Sequence, residues 1–354
     1  MIGPTLQAES DKLARSWMQH DAGLLRDYLV AGVEDPRLNL QSVLSRHFLA
    51  HALVGERFSA LMEQEYRFAA AMNWLTALAA RLSGADELES VLYALRLGAD
   101  NAEGIEIPGF VVKTFAALPA AAGSLTVPNY LENFLSRSQP ARCPATLPEP
   151  SLNTFRDLWH QTLAAETPYH QPSTLNSQPF SVLEPACGSA NDYRFLHAYG
   201  LARLVSYSGF DLCSRNIENS WALFPGVHFA VGNVFEIAAP DKAFDLCFVH
   251  DLFEHLSPEG LQAAVEEVCR VTRRGLCVSF FNMDEIPDHQ VRPVDDYHWN
   301  LLSMTRMKEL FAAGGFDARV VHIGTFLRRQ MACEQTHNPN AYTFLLRSAS
   351  PSKT

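Results

Sequence analysis

The sequence predicts an α/β fold in which an all-α N-terminal segment precedes an open, mostly parallel sheet. Three observations carry this. From about residue 5 to 135, apolar residues recur at three- and four-residue intervals, as in SVLSRHFLAHALVGERFSALM (42–62) and YRFAAAMNWLTALAARL (66–82). After about residue 176, short β-rich runs alternate with helical ones, the signature of strand–helix–strand units. Between them, SQPARCPATLPEPS (138–151) places four prolines in fourteen residues, which reads as a linker or surface strap. The expected organisation is a helical lid or substrate domain over 1–137, a proline-rich linker and helix over 138–175, and the sheet domain over 176–354.

In the first segment Gly84, Gly98 and Pro108 punctuate helix ends, and no repeat at a fixed period is present. TFRDLWHQTLAAE (154–166) is one more helix. The strands expected next are PFSVLEPA (179–186), RLVSYSGFDL (203–212), HFAVGNVF (228–235), FDLCFVH (244–250) and GLCVSFFN (275–282). Helices such as NDYRFLHAYG (191–200) and PEGLQAAVEEVCRVTR (258–273) lie between them. Right-handed crossovers make such an array parallel, with helices on both faces. After the helix TRMKELFAAGG (305–315), DARVVHIGTF (317–326) and AYTFLLRS (341–348) read as two strands with no helical pattern between them. They are expected to pair antiparallel at a sheet edge.

Composition narrows the function classes. Of 354 residues, 47% are apolar and 19% charged, enough for a real core, and the formal net charge is −11. No lysine or arginine run exceeds a pair, so the clustered positive charge that displaces counterions from nucleic acid is missing. No stretch of 18 uninterrupted apolar residues occurs, and MIGPTLQAESDKLARSW lacks a charged-then-apolar signal pattern. A soluble, cytoplasmic protein with a small-molecule substrate, and with neither nucleic-acid nor membrane partner, is expected. The seven cysteines (Cys143, Cys187, Cys213, Cys247, Cys269, Cys277, Cys333) are odd in number and form no C-x-x-C pair, so they read as reduced, packed thiols.

The informative stretch is VLEPACGSANDYRFL (182–196), where the smallest side chains stand at the turn from strand to helix. A dinucleotide would ask for G-x-G-x-x-G, and only Gly188 is present, flanked by Ala186 and Ala190. A nucleoside without a phosphate fits better. Glu184 ends the first strand, Asp211 ends the second where a carboxylate can accept from ribose hydroxyls, and Gly232-Asn233-Val234 closes the third.

V-L-E-P-A-C-G-S-A resembles the first motif of the class I S-adenosylmethionine (SAM)-dependent methyltransferases, usually hydrophobic, acid, then G-C-G-x-G. The Asp211, G-N-V and D-L-C-F-V-H-D-L-F-E-H-L (245–256) segments resemble the next three, in order and at ordinary spacings. The resemblance covers about residues 178–348. It implies a seven-stranded Rossmann-like sheet with a reversed last hairpin, and SAM as co-substrate. Ala186 and Ala190 replace the usual glycines and Asn233 a common aspartate, which narrows the backbone approach. By this resemblance Glu184, Ala186 and Gly188 face the methionine part, Asp211 and Leu212 hold the ribose, Asn233 and Val234 flank the adenine, and His250 lies near the sulfonium.

Reactive groups in open α/β sheets gather outside the carboxyl ends of the strands, which singles out His250 and Asp251. A neutral His250 suits a general base on a hydroxyl, amine or carbon acid. The competing reading is that Asp251 caps a helix and His250 packs on cofactor. Glu254 and His255 read as helix packing. The loop FFNMDEIPDHQVRPVDDYHWNLLS (280–303), with Asp288, His289, Asp295, Asp296, Tyr297, His298, Trp299 and Asn300, reads as an acceptor-pocket wall or as a loop tied by local hydrogen bonds. His250, His289 and His298 lack tight metal-ligand spacing, so no metal is expected. In the helical half, Tyr66, Phe68, Trp74, Tyr130, Phe134 and Trp159 read as core or as the face of a lid. Tyr130 and Tyr169 are candidates for an aromatic face on the sulfonium, and Tyr169 is counted with the catalytic candidates.

These features suggest a methyltransferase acting on a small metabolite. Two alternatives stand beside it. The resemblance also embraces azetidine-2-carboxylate synthases, which close SAM's own α-amine onto its γ-carbon and release methylthioadenosine. A non-catalytic SAM-binding domain is the other.

Overall fold

The structure, a computed structural model, describes residues 2–18, 40–82, 85–118, 149–165, 180–333 and 338–349. Its centre is a seven-stranded sheet built from β1 (Phe180–Pro185), β2 (Val205–Asp211), β3 (His228–Val231), β4 (Phe244–His250), β5 (Thr272–Phe280), β6 (Phe316–His322) and β7 (Tyr342–Ser348). The spatial order is β6-β7-β5-β4-β1-β2-β3. The four pairings among β5, β4, β1, β2 and β3 are parallel, while β7 runs antiparallel to both β5 and β6. Consecutive strands leave β1 in one direction as far as β3, and the chain then returns to place β4 on its other side. The switch point therefore lies between β1 and β4, with Leu183 opposite Cys247, and a crevice is expected outside their carboxyl ends. In β4 every residue from Asp245 to Val249 is buried, as befits a strand covered on both faces.

The helices are α1 (Pro4–Met18), α2 (Leu40–Val54), α3 (Ser59–Ala79), α4 (Ala85–Arg96), α5 (Gly109–Ala116), α6 (Glu149–Ala165), α7 (Asn191–Ala198), α8 (Ser214–Leu223), α9 (Pro258–Val271), α10 (Met304–Ala313) and α11 (Ile323–Met331). One apolar cluster runs without a break from Leu44, Phe48, Met72 and Trp159 in the helical half to Val182, Leu196, Leu246 and Cys277 around the sheet. On the other face Leu13 of α1 joins Leu183, Phe210, Val234 and Phe253.

The centre of this packing is α2, whose residues 40–50 are all buried. A helix buried on every side must satisfy its polar groups internally. Gln41 Nε2 donates to the Phe280 carbonyl at 3.4 Å, and Arg46 Nε pairs with Asp192 at 2.7 Å. His47 donates through Nδ1 to the Val43 carbonyl at 2.6 Å, with Nε2 3.1 Å from Glu65. Glu65 in turn accepts from Trp159 Nε1 at 2.8 Å and from the Tyr199 hydroxyl. Phe68, Trp74 and Trp159 are core, as aromatics at helical spacing usually are, and Tyr66 packs edge-on against His47.

The predicted architecture is present, with four local differences. The helix expected over 42–62 ends at Val54, because Gly55 takes a positive φ of 68° and a 3-10 turn redirects the chain. The strand expected over 228–235 stops at Val231, where Asn233 Oδ1 accepts from Phe235 N at 2.9 Å and folds the chain into a turn. The strand expected over 317–326 ends at His322, and a helix, α11, stands where no helical pattern was expected between the last two strands. Its buried Ile323, Leu327 and Met331 recur every four residues, a signal hidden behind the β-rich V-V-H-I-G-T-F. The stretch read as linker already contains the start of α6 at Glu149, while 119–148 lie outside the described residues. Among described residues six cysteines are buried thiols outside any disulfide, as expected of packed thiols; Cys143 lies outside them.

Candidate active site

The turn after β1 is left-handed at alternate residues: Ala186 has φ 56°, Gly188 53° and Ala190 64°. Side chains other than glycine adopt this conformation at a cost of roughly 1–2 kcal/mol, so two of the three positions carry strain. No atom lies within 4 Å of where a Gly188 Cβ would stand, so the turn is open on that side. Ala186→Gly, whose methyl is only half-buried, is expected to raise stability by about 0.5–1 kcal/mol once the entropy glycine adds to the unfolded chain is subtracted. Thermal unfolding, shifted up by roughly 1–3 °C, checks it.

Asp211 ties this turn to the end of β2. Its Oδ2 accepts from Gly188 N at 3.0 Å, and its Oδ1 accepts from Cys213 N at 2.8 Å and Asn216 Nδ2 at 3.1 Å. A carboxylate has about four acceptor positions, so one remains for an incoming hydroxyl. Leu212, half-buried, packs on the Phe210–Val234 cluster. Asn233 is engaged on both sides: besides its turn to Phe235, it donates to Ser10 Oγ of α1 at 2.8 Å. Val234 is buried against α1's Leu13 cluster. Glu9 of the same helix accepts from Ser257 N at 2.7 Å, so α1 is strapped across the ends of β3 and β4.

Glu184 is fully enclosed and accepts from the Tyr207 hydroxyl. Burial, then the neighbouring Asp192, holds its carboxyl well above the ordinary range. A Cβ at Gly209 would lie 3.0 Å from that Tyr207 hydroxyl and 3.1 Å from Cys187 Sγ, so the glycine in mid-strand makes room for the contact.

Beside β1, the end of β4 continues this network. His250 Nδ1 is 3.2 Å from Asp192 Oδ2, and Asp192 Oδ1 is held by Arg46. Burial pushes Asp192 up, but Arg46 and His250 outweigh it and hold the carboxyl far below the usual range. An ionised carboxylate only accepts, so Nδ1 carries the hydrogen. His250 Nε2 stands 3.5 Å from Asp251 Oδ2, an ion-pair approach too long for a hydrogen bond. Burial pulls the imidazole pKa down, and Asp251 and Asp192 together overcome it, so the net shift is upward. Two carboxylates thus make His250 a stronger base that holds its proton longer than an ordinary histidine. Asp251 adopts φ 51°, a strained position of the kind that gathers at sites of function.

Glu254, fully buried, accepts at Oε1 from Phe281 N at 2.8 Å, and burial followed by Asp251 pushes its carboxyl up to about 8. His255 donates from Nδ1 to the His298 carbonyl at 3.1 Å and lies among Phe281, Tyr297 and Trp299. The 280–303 loop is tied down by hydrogen bonds both within itself and to the turn after β4. Asn300 Nδ2 donates to the Leu256 carbonyl at 2.7 Å, Ser303 N donates to His289 Nδ1 at 2.9 Å, and Asp288 pairs with Arg306 at 2.8 Å on the surface. Asp295 sits in a left-handed turn, and Asp296 precedes the two-residue ladder of Tyr297–His298 with Pro293–Val294. Tyr130, Phe134 and Tyr169 lie outside the described residues.

Sequence reasoning missed Arg46, Asp192 and Tyr207. The first had a signal, since an arginine inside the mostly apolar LQSVLSRHFLAHALV must find a buried counter-charge. Asp192 and Tyr207 had none short of the fold.

Residues 183–278 match the protein-family model described as a methyltransferase domain. The C-terminal half of this chain thus contains a methyltransferase-family domain. Among solved structures the chain is similar to the (4+2)-cyclase SpnF, at 15% identity over 55% of this chain and 83% of that one, TM-score 0.38. It is also similar to a SAM-dependent methyltransferase from Methanosarcina mazei, at 15% identity over 49% and 94%, TM-score 0.38. A third is 1,6-didemethyltoxoflavin-N1-methyltransferase from Burkholderia thailandensis, solved with 1,6-didemethyltoxoflavin and S-adenosylhomocysteine, at 13% identity over 55% and 88%, TM-score 0.37. Among the described residues no helix is long and apolar enough to cross a membrane.

Proposed function

We propose that this protein is a SAM-dependent transferase that methylates a small-molecule metabolite, with neither nucleic acid nor a membrane as partner. The observation that carries the reading is the thrice left-handed turn Ala186–Gly188–Ala190, clamped by Asp211 at the switch point of the sheet. The residues fit the co-substrate on two counts. Beside Gly188 there is open space, and His250 Nε2 and Asp251 Oδ1 are buried polar atoms with no hydrogen-bond partner among the described residues. SAM supplies an electrophilic carbon on a cationic sulfur.

In this reading Glu184, Ala186 and Gly188 receive the methionine part, and Asp211 with Leu212 the ribose. Asn233 and Val234 flank the adenine, while His250 and Asp251 stand at the reacting centre. The helical half serves as the lid, excluding water from a site where fixed charges then act at full strength. The buried carboxylates around His250 favour one second reading, in which SAM's own amine is the nucleophile and SAM the sole substrate.

Asp211→Ala removes the acceptor for a ribose hydroxyl together with the clamp on the turn. SAM affinity measured by calorimetry is expected to fall more than tenfold, the equivalent of over about 1.4 kcal/mol. Unchanged affinity in a folded variant sinks the assignment.

A further inference from the structure

We propose that the group brought to His250 Nε2 and Asp251 is a nucleophilic amine, and that His250 takes a proton from it. The inference rests on the transferase reading above and names the acceptor class of that site.

Three polar atoms at the end of β4 lack a hydrogen-bond partner among the described residues: His250 Nε2, Asp251 Oδ1 and Glu254 Oε2. The His250 side chain is 10% exposed and that of Asp251 34%, with Nε2 3.5 Å from Oδ2, so the two acceptors stand side by side. With Nδ1–H given to Asp192, the neutral imidazole offers Nε2 as an acceptor, and an ionised Asp251 only accepts. A hydroxyl has one hydrogen for these two acceptors and a carbon acid has no strong donor. An ammonium has three hydrogens and matches them.

Charge selects the same ligand. The groups around His250 are Arg46 from α2, Asp192 from α7, Asp251 beside it, Glu184 at the end of β1 and Glu254 in the next turn. Arg46 and Asp192 cancel as a pair. Burial raises the carboxyls of Glu184, Glu254 and Asp251, and at Asp251 the adjacent His250 opposes the rise. With His250 neutral, an ionised Asp251 has no other ion-pair contact among the described residues, and an ammonium supplies one. When the proton passes from nitrogen to Nε2, the imidazolium replaces that cation as the counter-charge. The cluster stays balanced throughout the transfer, so the amine is freed without stranding a buried charge.

The freed nitrogen pair then forms the new C–N bond, and the C–S bond breaks with its pair left on sulfur as a neutral thioether. Attack by a separate amine on the methyl carbon releases S-adenosylhomocysteine. Attack by SAM's own α-amine on its γ-carbon releases methylthioadenosine and a four-membered cyclic amino acid.

The test needs no turnover at first. Histidine-labelled full-length protein is titrated by NMR, with the His250 signal assigned through His250→Asn. Excess methylammonium is expected to lower the His250 midpoint, whereas tetramethylammonium, a cation without N–H, leaves it in place. Asp251→Asn, at a half-exposed side chain, is expected to abolish the difference. Equal shifts from both cations, or none from either, overturn the proposal. Mass spectrometry then separates the two sources. Methylthioadenosine from SAM alone identifies SAM's own amine, and N-methylated product with S-adenosylhomocysteine from a panel of primary and secondary amines identifies a separate one. An O- or C-methylated product overturns the proposal while leaving the transferase reading intact, and failure of SAM to bind removes the transferase reading itself.

Discussion

His250→Asn is expected to lower the rate of the chemical step by about 10²–10⁴-fold while changing SAM affinity less than threefold. The asparagine amide nitrogen takes the place of Nδ1 and keeps the hydrogen bond to Asp192, now 3.2 Å. What disappears is Nε2, an acceptor that can take a proton near neutral pH, and a well-placed general base contributes on that order. Single-turnover product formation and calorimetry separate the two quantities. Because Asp251 and Asp192 raise the imidazole pKa against the opposing pull of burial, the rising limb of the wild-type pH–rate profile is expected above the ordinary histidine value of about 6.5. A rate loss matched by an equal loss of SAM affinity would make His250 a packing residue.

Arg46→Met is expected to destabilise the fold by about 3–5 kcal/mol, the range for removing one partner of a buried ion pair. Both side chains are 7% exposed and 2.7 Å apart, so neither charge can turn to water. Asp192 would keep only His250 as counter-charge, and the Glu184–Asp192–His250 network would lose its link to α2. Urea unfolding measures the change, which corresponds to a fall in Tm on the order of 10 °C. Arg46→Met with Asp192→Asn is expected to recover part of the loss, because no charge is then stranded. The sign with pH follows. Arg46 and His250 depress Asp192, so the pair's contribution is present above the unfolded carboxylate pKa of about 3.9 and is lost as acid is added below it. A loss under 1 kcal/mol, as is usual for exposed pairs such as Arg306–Asp288, would contradict this account.

Much of the site was legible along the chain because its parts are local. The small-residue turn, the acid closing each of the first two strands and the His250-Asp251 pair each follow a strand whose β-rich run is short and apolar. The helix α11 was misread for the opposite reason. Nine residues rich in β-branched neighbours show no strand–helix difference until packing chooses which of them are buried. Asn233 was placed at the right strand end, yet its partners Ser10 and Phe235 depend on where α1 crosses the sheet, which no local pattern states.

The sequence by itself determined the helical half, the strand–helix alternation, the reversed last strand and the positions Glu184, Asp211 and His250, since all of these follow from periodicity and residue type within a few turns of chain. Only the tertiary structure decided the protonation chemistry. Arg46 and Asp192 are 146 residues apart, and their approach, with Asp251 on the far side of the imidazole, turns His250 from an ordinary histidine into a charge-flanked base. A pKa depends on charge and dielectric within several ångströms of a group, and those surroundings come into being when α2 settles against α7 over the end of β4.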